Sequence, residues 1–594
     1  MRRCLEQFPF YNPGMKPNYD KQPFVRITSQ TEDCDEGWTE VVHRLQGVRR
    51  DGGLIICIEC YPGVFEDDIE KVLRDSFPAA QVLRTADCLK TASDIDRMLA
   101  RDLPDDPVFG RSSSLEVIEF FDLEKLRKSS RRLLPSTLNF VLGTGAVLVA
   151  LNWDVLVYAD LARWEIQQRQ RRGEIGNFGI ENNGARASEK YRRAFFVDWR
   201  AADRLKKQLL PKLDFFLDTN HRDRPRMISG ELFRHSLSLT AKRPFRVQPL
   251  FDSGPWGGQW MREVCGLPGD KPNYAWCFDC VPEENSLVFG FGYRRLELPA
   301  IDLVFTHPDK LLGNAVHARF GTEFPIRFDF LDTMGGGNLS LQVHPLTEYI
   351  QQHFGMHYTQ DESYYLLDAG ADACVYLGVK SGVDPDTVVR DLKRAQEGGS
   401  PFAAERYINV WPAKKHDHFL IPAGTIHCSG RNSMVLEISA TPYIFTFKLW
   451  DWGRLGLDGR PRPIHLEHGI RNIQWDRTTS WVQRELINQV ETIAEGEGWR
   501  EERTGLHERE FIETRRHWFT GPVRHETGGG VNVLNLVAGD EVMVESPSGA
   551  FEPMVVHYAE TFIVPAAVGD YSVRPAAKAS EPHATVKAFV RTRA

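Results

Sequence analysis

Between Asn338 and Pro345 the chain reads NLSLQVHP. Leu339, Leu341 and Val343 alternate with Ser340, Gln342 and His344, and successive strand side chains point to opposite faces, so the three polar groups share one side. A Gln two residues before a His is unusual on a solvated face, whereas the pair can reach one point inside a hollow. Elsewhere the pattern has a longer period. Up to about residue 235, apolar runs alternate with helical stretches: GGLIICIECYPG precedes VFEDDIEKVLRDSF, DVLVYAD precedes LARWEIQQRQRRG, and RAADRLKKQLLPKLDFFLD follows. That alternation predicts a three-layer α/β domain over residues 1–235 with a mainly parallel sheet. From about residue 240, short strands punctuated by Gly, Pro, Asn and Asp predict an antiparallel barrel or sandwich over 240–490, with one helical insertion near DPDTVVRDLKRAQEG. Strands resume in VNVLNLVAGDEVMVES, MVVHYAETFIVPAAVGDYSVRP and TVKAFVRTRA, which predicts a smaller C-terminal β-barrel over 505–594.

The length of 594 residues supports two to four domains, and 42% hydrophobic with 26% charged residues is ordinary globular usage. A net charge of −8 gives no global attraction to nucleic acid or anionic lipid, so neither partner is expected. The most apolar window, Leu138 to Asp160, is interrupted by Gly143, Gly145, Asn152 and Asp154 and reads as two buried strands and a turn rather than a bilayer helix. The first residues, MRRCLEQFPFYNPGMK, lack the apolar core of a secretory signal. Ten thinly spread cysteines fit reduced thiols in a cytoplasmic protein. Cys57/Cys60 and Cys277/Cys280 have C-x-x-C spacing, but the first pair lies in a strand-like run and the pairs are far apart, so buried thiols are expected rather than a shared zinc.

The strand-to-helix turn CYPGVFED stands where a phosphate-binding loop would carry a Lys and several glycines, and it has no Lys and one Gly. Asp106 to Arg111 (DPVFGR) and Arg163 are the residues that a nucleoside-kinase-like site could use.

The stronger chemistry lies in the second region. Gln342 and His344 are followed by Glu362 at the start of the apolar strand in YTQDESYYLLDAG, and then by His427, delivered by the IPAG turn of DHFLIPAGTIHCSG. Two imidazoles, a carboxylate and an amide oxygen suit a borderline divalent ion and leave room for water or a substrate oxygen.

PWGG (Pro255 to Gly258), LSLQVHP, DESYYLLDA, IPAGTIHCSG, VLEIS (Val435 to Ser439), FKLWDWGR (Phe447 to Arg454) and DGRPRPIHLEHG occur in an order that resembles the type I phosphomannose isomerases of the cupin superfamily. The resemblance covers roughly residues 245–475 and implies a jelly-roll barrel holding one Zn²⁺ per chain on Gln342, His344, Glu362 and His427. It implies interconversion of mannose 6-phosphate and fructose 6-phosphate, with a sugar phosphate as the small-molecule partner and no prediction of oligomeric state. Glu437, facing the same way as Val435 and Ser439, is a candidate base or a carboxylate paired to a cation. Lys448 and Arg454 are candidate catalytic cations, and Ser340 and Gln360 candidate substrate contacts. The sequence departs from the family in carrying Gln360 for a Lys, Lys448 for an Arg and Ser429 for an aromatic residue. The segment before residue 235 lies outside the usual isomerase and looks like a degenerate uridine-kinase-like or P-loop-type domain. Two alternatives accompany the isomerase reading: a catalytically silent sugar-phosphate-sensing protein and a bifunctional sugar kinase–isomerase.

Overall fold

The computed structural model describes residues 17–48, 53–134, 136–440, 444–460, 462–507, 510–578 and 581–592; the segment inspected above for a secretory signal lies outside them. The protein is a mixed α/β chain with several β-sheets.

Five parallel strands run side by side in the order Gln81–Arg84, Leu138–Gly143, Leu54–Cys60, Val155–Asp160 and Phe215–Asp218. Arg226–Ser229 and Cys34–Glu36 extend this sheet antiparallel. Consecutive residues Ile56 and Cys57 of the central strand are both fully buried, so both faces are covered, which is why the run LIICIEC is apolar without alternation. Cys57 and Cys60 are free, buried thiols, and burial pushes both upward from the ordinary thiol range. The apolar window forms Leu138–Gly143 and Val155–Asp160, joined by a turn of helix at Ala146–Val149 where a plain turn was expected. Among the described residues no helix is long and apolar enough to cross a membrane.

The middle of the chain folds into two antiparallel sheets. One runs His418–Ile421, Glu362–Ala369, Ser433–Ala440, Ile326–Asp332, Trp276–Cys280, Leu250–Asp252; the other runs Ile408–Pro412, Cys374–Val379, His427–Ser429, Leu341–Val343, Phe447–Trp450. The inserted helix, Pro385–Gln396, starts where Asp384 accepts from the Thr387 amide, carries Pro in its first turn and buries Val388 and Leu392 one turn apart.

Two further sheets close the chain. The larger begins with the hairpin Glu491–Gly496 and Trp499–Arg503, ahead of residue 505 where strands were expected to resume. Most of that hairpin is exposed and charged, so it lacks the alternation that announces a half-buried strand. Likewise Val25–Arg26 pairs in parallel with Ser286–Phe291 instead of joining the α/β sheet.

Long-range polar contacts tie these layers together. The Asp20 amide donates to Glu560 at 2.6 Å, and Arg246 reaches the same carboxylate at 2.7 Å. Lys206 bridges Asp160, at the end of a parallel strand, and Asp302, at 2.5 and 2.6 Å, with all three side chains at most 1% exposed.

Candidate functional site

The two middle sheets present their inner faces to one point. Gln342 is the ladder partner of His427 on one side and of Lys448 on the other, so three neighbouring strands carry these groups side by side. Glu362 opens its strand in the opposing sheet. Between Ile421 and His427 the chain turns through Gly424, whose φ of +86° and close approach to the Asn472 carbonyl, 2.9 Å from where a Cβ would stand, require glycine.

His344 Nε2 lies 3.0 Å from Glu362 Oε2 and His427 Nε2 lies 2.9 Å from Glu362 Oε1, with all three side chains fully buried. Each imidazole donates its Nδ1 hydrogen to a backbone carbonyl, His344 to Phe445 at 3.0 Å and His427 to Thr425 at 2.9 Å. A neutral ring that donates at Nδ1 holds a lone pair at Nε2, so two lone pairs face a carboxylate with no hydrogen between them. Accordingly, His344 Nε2 and Glu362 Oε1 have no hydrogen-bond partner. Such a contact is repulsive unless a cation occupies its centre, and the donor set fits a divalent ion. Gln342 adds its amide head 3.2 Å from His427 Nε2, and rotation of the amide presents oxygen in place of nitrogen.

Beside this centre lies a second polar row. Asp329, Glu437 and Tyr364 are successive ladder partners, two residues along from Arg327, Ser439 and Glu362. Arg327 pairs with both Asp329, at 3.0 Å, and Glu437. Glu437 therefore sits against a cation, one of the two roles its strand position left open. Burial, reinforced by Glu362 and opposed by Arg327, pushes Asp329 up to about 7. Gln360 is buried and donates to Glu362 at 2.9 Å and to Glu437 at 3.4 Å, which makes it a brace between the two carboxylates. The strand Ile326–Asp332, IRFDFLD, does announce Arg327 and Asp329: charged residues alternate with phenylalanines. Sequence reasoning passed over them because both rows of this strand are buried.

A cationic mouth forms on the other side. Ser340 donates to Asp451 at 3.0 Å and accepts from Arg462 at 3.2 Å. Arg454 and Arg462 both pair with Asp451, at 2.5 and 2.6 Å, and Arg462 lies over Trp256 of the PWGG motif, 5.0 Å from the ring centroid. Lys448 is pushed down to about 8, first by burial and then by Arg462. Arg462 was not singled out from the sequence, although DGRPRPIHLEHG contains it.

The kinase-like residues are engaged elsewhere. Glu59 accepts from the Gly145 and Val147 amides and Glu66 from the Thr144 amide, so carboxylates occupy the donors beside the CYPGVFED turn. Arg163 pairs with Asp203 at 3.1 Å, and Asp106 is bound to His468.

Against known proteins, residues 37–242 match a family model described as a domain of unknown function, DUF8485. Mannose-6-phosphate isomerase ManA of Bacillus subtilis (strain 168) is 27% identical over 232 residues, which is 39% of this chain and 68% of that protein. The mannose-6-phosphate isomerase of Streptococcus mutans is 26% identical over 232 residues, covering 38% of this chain and 66% of its own length. Over that stretch the chain is homologous to mannose-6-phosphate isomerases. The crystal structure of the Bacillus subtilis mannose 6-phosphate isomerase superposes with a TM-score of 0.47 at 16% identity, over 58% of this chain and 99% of that one.

Proposed function

We propose that the protein is a zinc-dependent aldose–ketose isomerase that interconverts mannose 6-phosphate and fructose 6-phosphate. The observation that carries this reading is the pair of Nε2 lone pairs aimed at a buried carboxylate, in a stretch homologous to mannose-6-phosphate isomerases. Gln342, His344, Glu362 and His427 would hold the ion, which as a Lewis acid polarises sugar oxygens and stabilises negative charge without redox chemistry.

The chain's own groups divide the remaining work. The reaction removes a proton from the carbon beside a carbonyl and returns it one carbon away. Arg327 pairs with Glu437, while Asp329, whose carboxyl is pushed up to about 7, can accept and return a proton at working pH. Lys448, Arg462, Arg454 and Ser340 supply the cations and hydroxyl that a phosphate needs, with the two guanidiniums offering planar forks. Arg462 thus offers the bidentate geometry that Lys448 lacks. Nothing in this scheme calls for nucleic acid, a membrane or a nucleotide.

A sugar-phosphate sensor without turnover is the second reading, favoured by Gln360 and Lys448 at positions where the resemblance expects Lys and Arg. A coupled assay for fructose 6-phosphate from mannose 6-phosphate separates the two, run with chelator, with added Zn²⁺ and with H427A. Chelator-sensitive turnover restored by Zn²⁺ and lost in H427A supports the isomerase. Metal-loaded protein that binds the sugar phosphate without product supports the sensor.

A further inference from the structure

The loop Asp106–Arg111 leaves the α/β layer and enters the middle of the molecule. Asp106 accepts from the Val108 and Phe109 amides at 2.7 and 2.6 Å and binds His468 Nε2 at 3.2 Å, while Arg192 donates to the Phe109 carbonyl at 2.8 Å. Gly110 packs against Phe196 and the Asp102 carbonyl so closely that a Cβ would stand 2.8 Å from the latter. This bracing delivers the Phe109 ring, 1% exposed, into a socket of aromatic side chains. It lies against Phe445 (5.9 Å between centroids, 13°), Phe447 (5.2 Å, 89°), Phe354 (5.5 Å) and His465 (4.9 Å).

Two of these neighbours touch the metal-centre and mouth residues directly. The Phe445 carbonyl is the acceptor that fixes His344 through Nδ1. His465 clamps the Lys448 backbone from both sides: its Nδ1 accepts from the Lys448 amide at 3.2 Å, and its own amide donates to the Lys448 carbonyl at 2.8 Å. Strand alternation explains the arrangement, since Phe447 turns one way while Lys448 turns the other, toward Gln342. The Phe109 ring thus backs the segment from Phe445 to Lys448 that orients one imidazole ligand and places the mouth lysine.

We infer that Phe109 is a positioning residue, through which the α/β layer sets the orientation of His344 and Lys448. The inference rests on the metal-centre reading above, and its first readout does not require turnover. Outer partners that orient a ligand are worth roughly 10- to 100-fold in metal affinity or activity. In the full-length protein, F109A is expected to weaken Co²⁺ binding about tenfold, to alter the visible absorption of bound Co²⁺, and to lower kcat on mannose 6-phosphate more than it raises KM. F109L, which refills the socket, is expected to recover most of each loss, and L151A, at an exposed site in the same layer, to match the wild type.

F109A with wild-type circular dichroism, Co²⁺ affinity and Co²⁺ spectrum overturns the inference. Where F109A is not recovered folded, D106N takes the same measurements, because it loosens the loop and keeps the ring. A shift of affinity and spectrum in the same direction supports the inference; wild-type values overturn it. Wild-type protein without isomerase turnover, alongside a Co²⁺ response to F109A, removes the isomerase reading and leaves this one standing.

Discussion

Lys448 provides the sharpest test of the proposed chemistry because two measurements must move in opposite directions. Burial, then Arg462 and Arg454, hold this ammonium down to about 8 from 10.5, with Asp451 opposing. The difference corresponds to about 3 kcal/mol against the charged form in the folded protein. A divalent ion at the neighbouring centre pushes the same way. If the charged form holds the phosphate or the developing oxyanion, only about one molecule in ten retains it at pH 9. kcat/KM is then expected to fall about tenfold between pH 7 and pH 9. Stability has the opposite sign: the folded state disfavours the charged lysine, so the penalty is present below pH 8 and is relieved as pH rises from about 8 toward 10.5. K448R carries a guanidinium that stays charged throughout this range, so its alkaline decline should disappear. The assay is the initial rate of fructose 6-phosphate formation from pH 6.5 to 9.5 at saturating metal, beside urea midpoints over the same range. Wild-type rates that stay flat to pH 9.5, or a K448R profile that falls as the wild type does, would refute the reasoning.

Three further outcomes follow from the same geometry. H427A removes a ligand donor and should weaken Zn²⁺ binding by more than about 100-fold, beyond the loss expected for outer partners, as read by equilibrium dialysis; a retained stoichiometric ion counts against the centre. D329N should lower kcat by about 100-fold or more in the metal-loaded protein, because an amide at this position cannot accept the proton that the carboxylate beside Arg327 is placed to take. K206M leaves Asp160 and Asp302 buried without their cation and should cost about 3–5 kcal/mol in urea denaturation, with Co²⁺ affinity in the folded protein unchanged.

What the sequence made legible depends on how far apart the interacting residues lie and on which faces are buried. The alternation in NLSLQVHP placed Ser340, Gln342 and His344 on one face, and the structure brings Gln342 and His344 to a common point with Glu362 and His427. That convergence required a second sheet, which alternation in one strand does not specify; the order of motifs shared with the isomerases carried it. IRFDFLD shows the opposite case, because when both faces of a strand are buried its period no longer says which row lines the hollow, and Arg327 and Asp329 went unread. DPVFGR illustrates a third limit. As a string it offers a charge and an aromatic of the kind a kinase loop uses, whereas in the fold its Asp caps its own loop and its Phe fills a socket assembled from residues more than 200 positions away. No local pattern encodes such a contact, since it exists only once the α/β layer and the two middle sheets are packed together. In the front segment Glu59 and Glu66 already occupy the amides beside the strand-to-helix turn, and the Phe109 ring packs edge-on against Phe447 on the strand that carries Lys448.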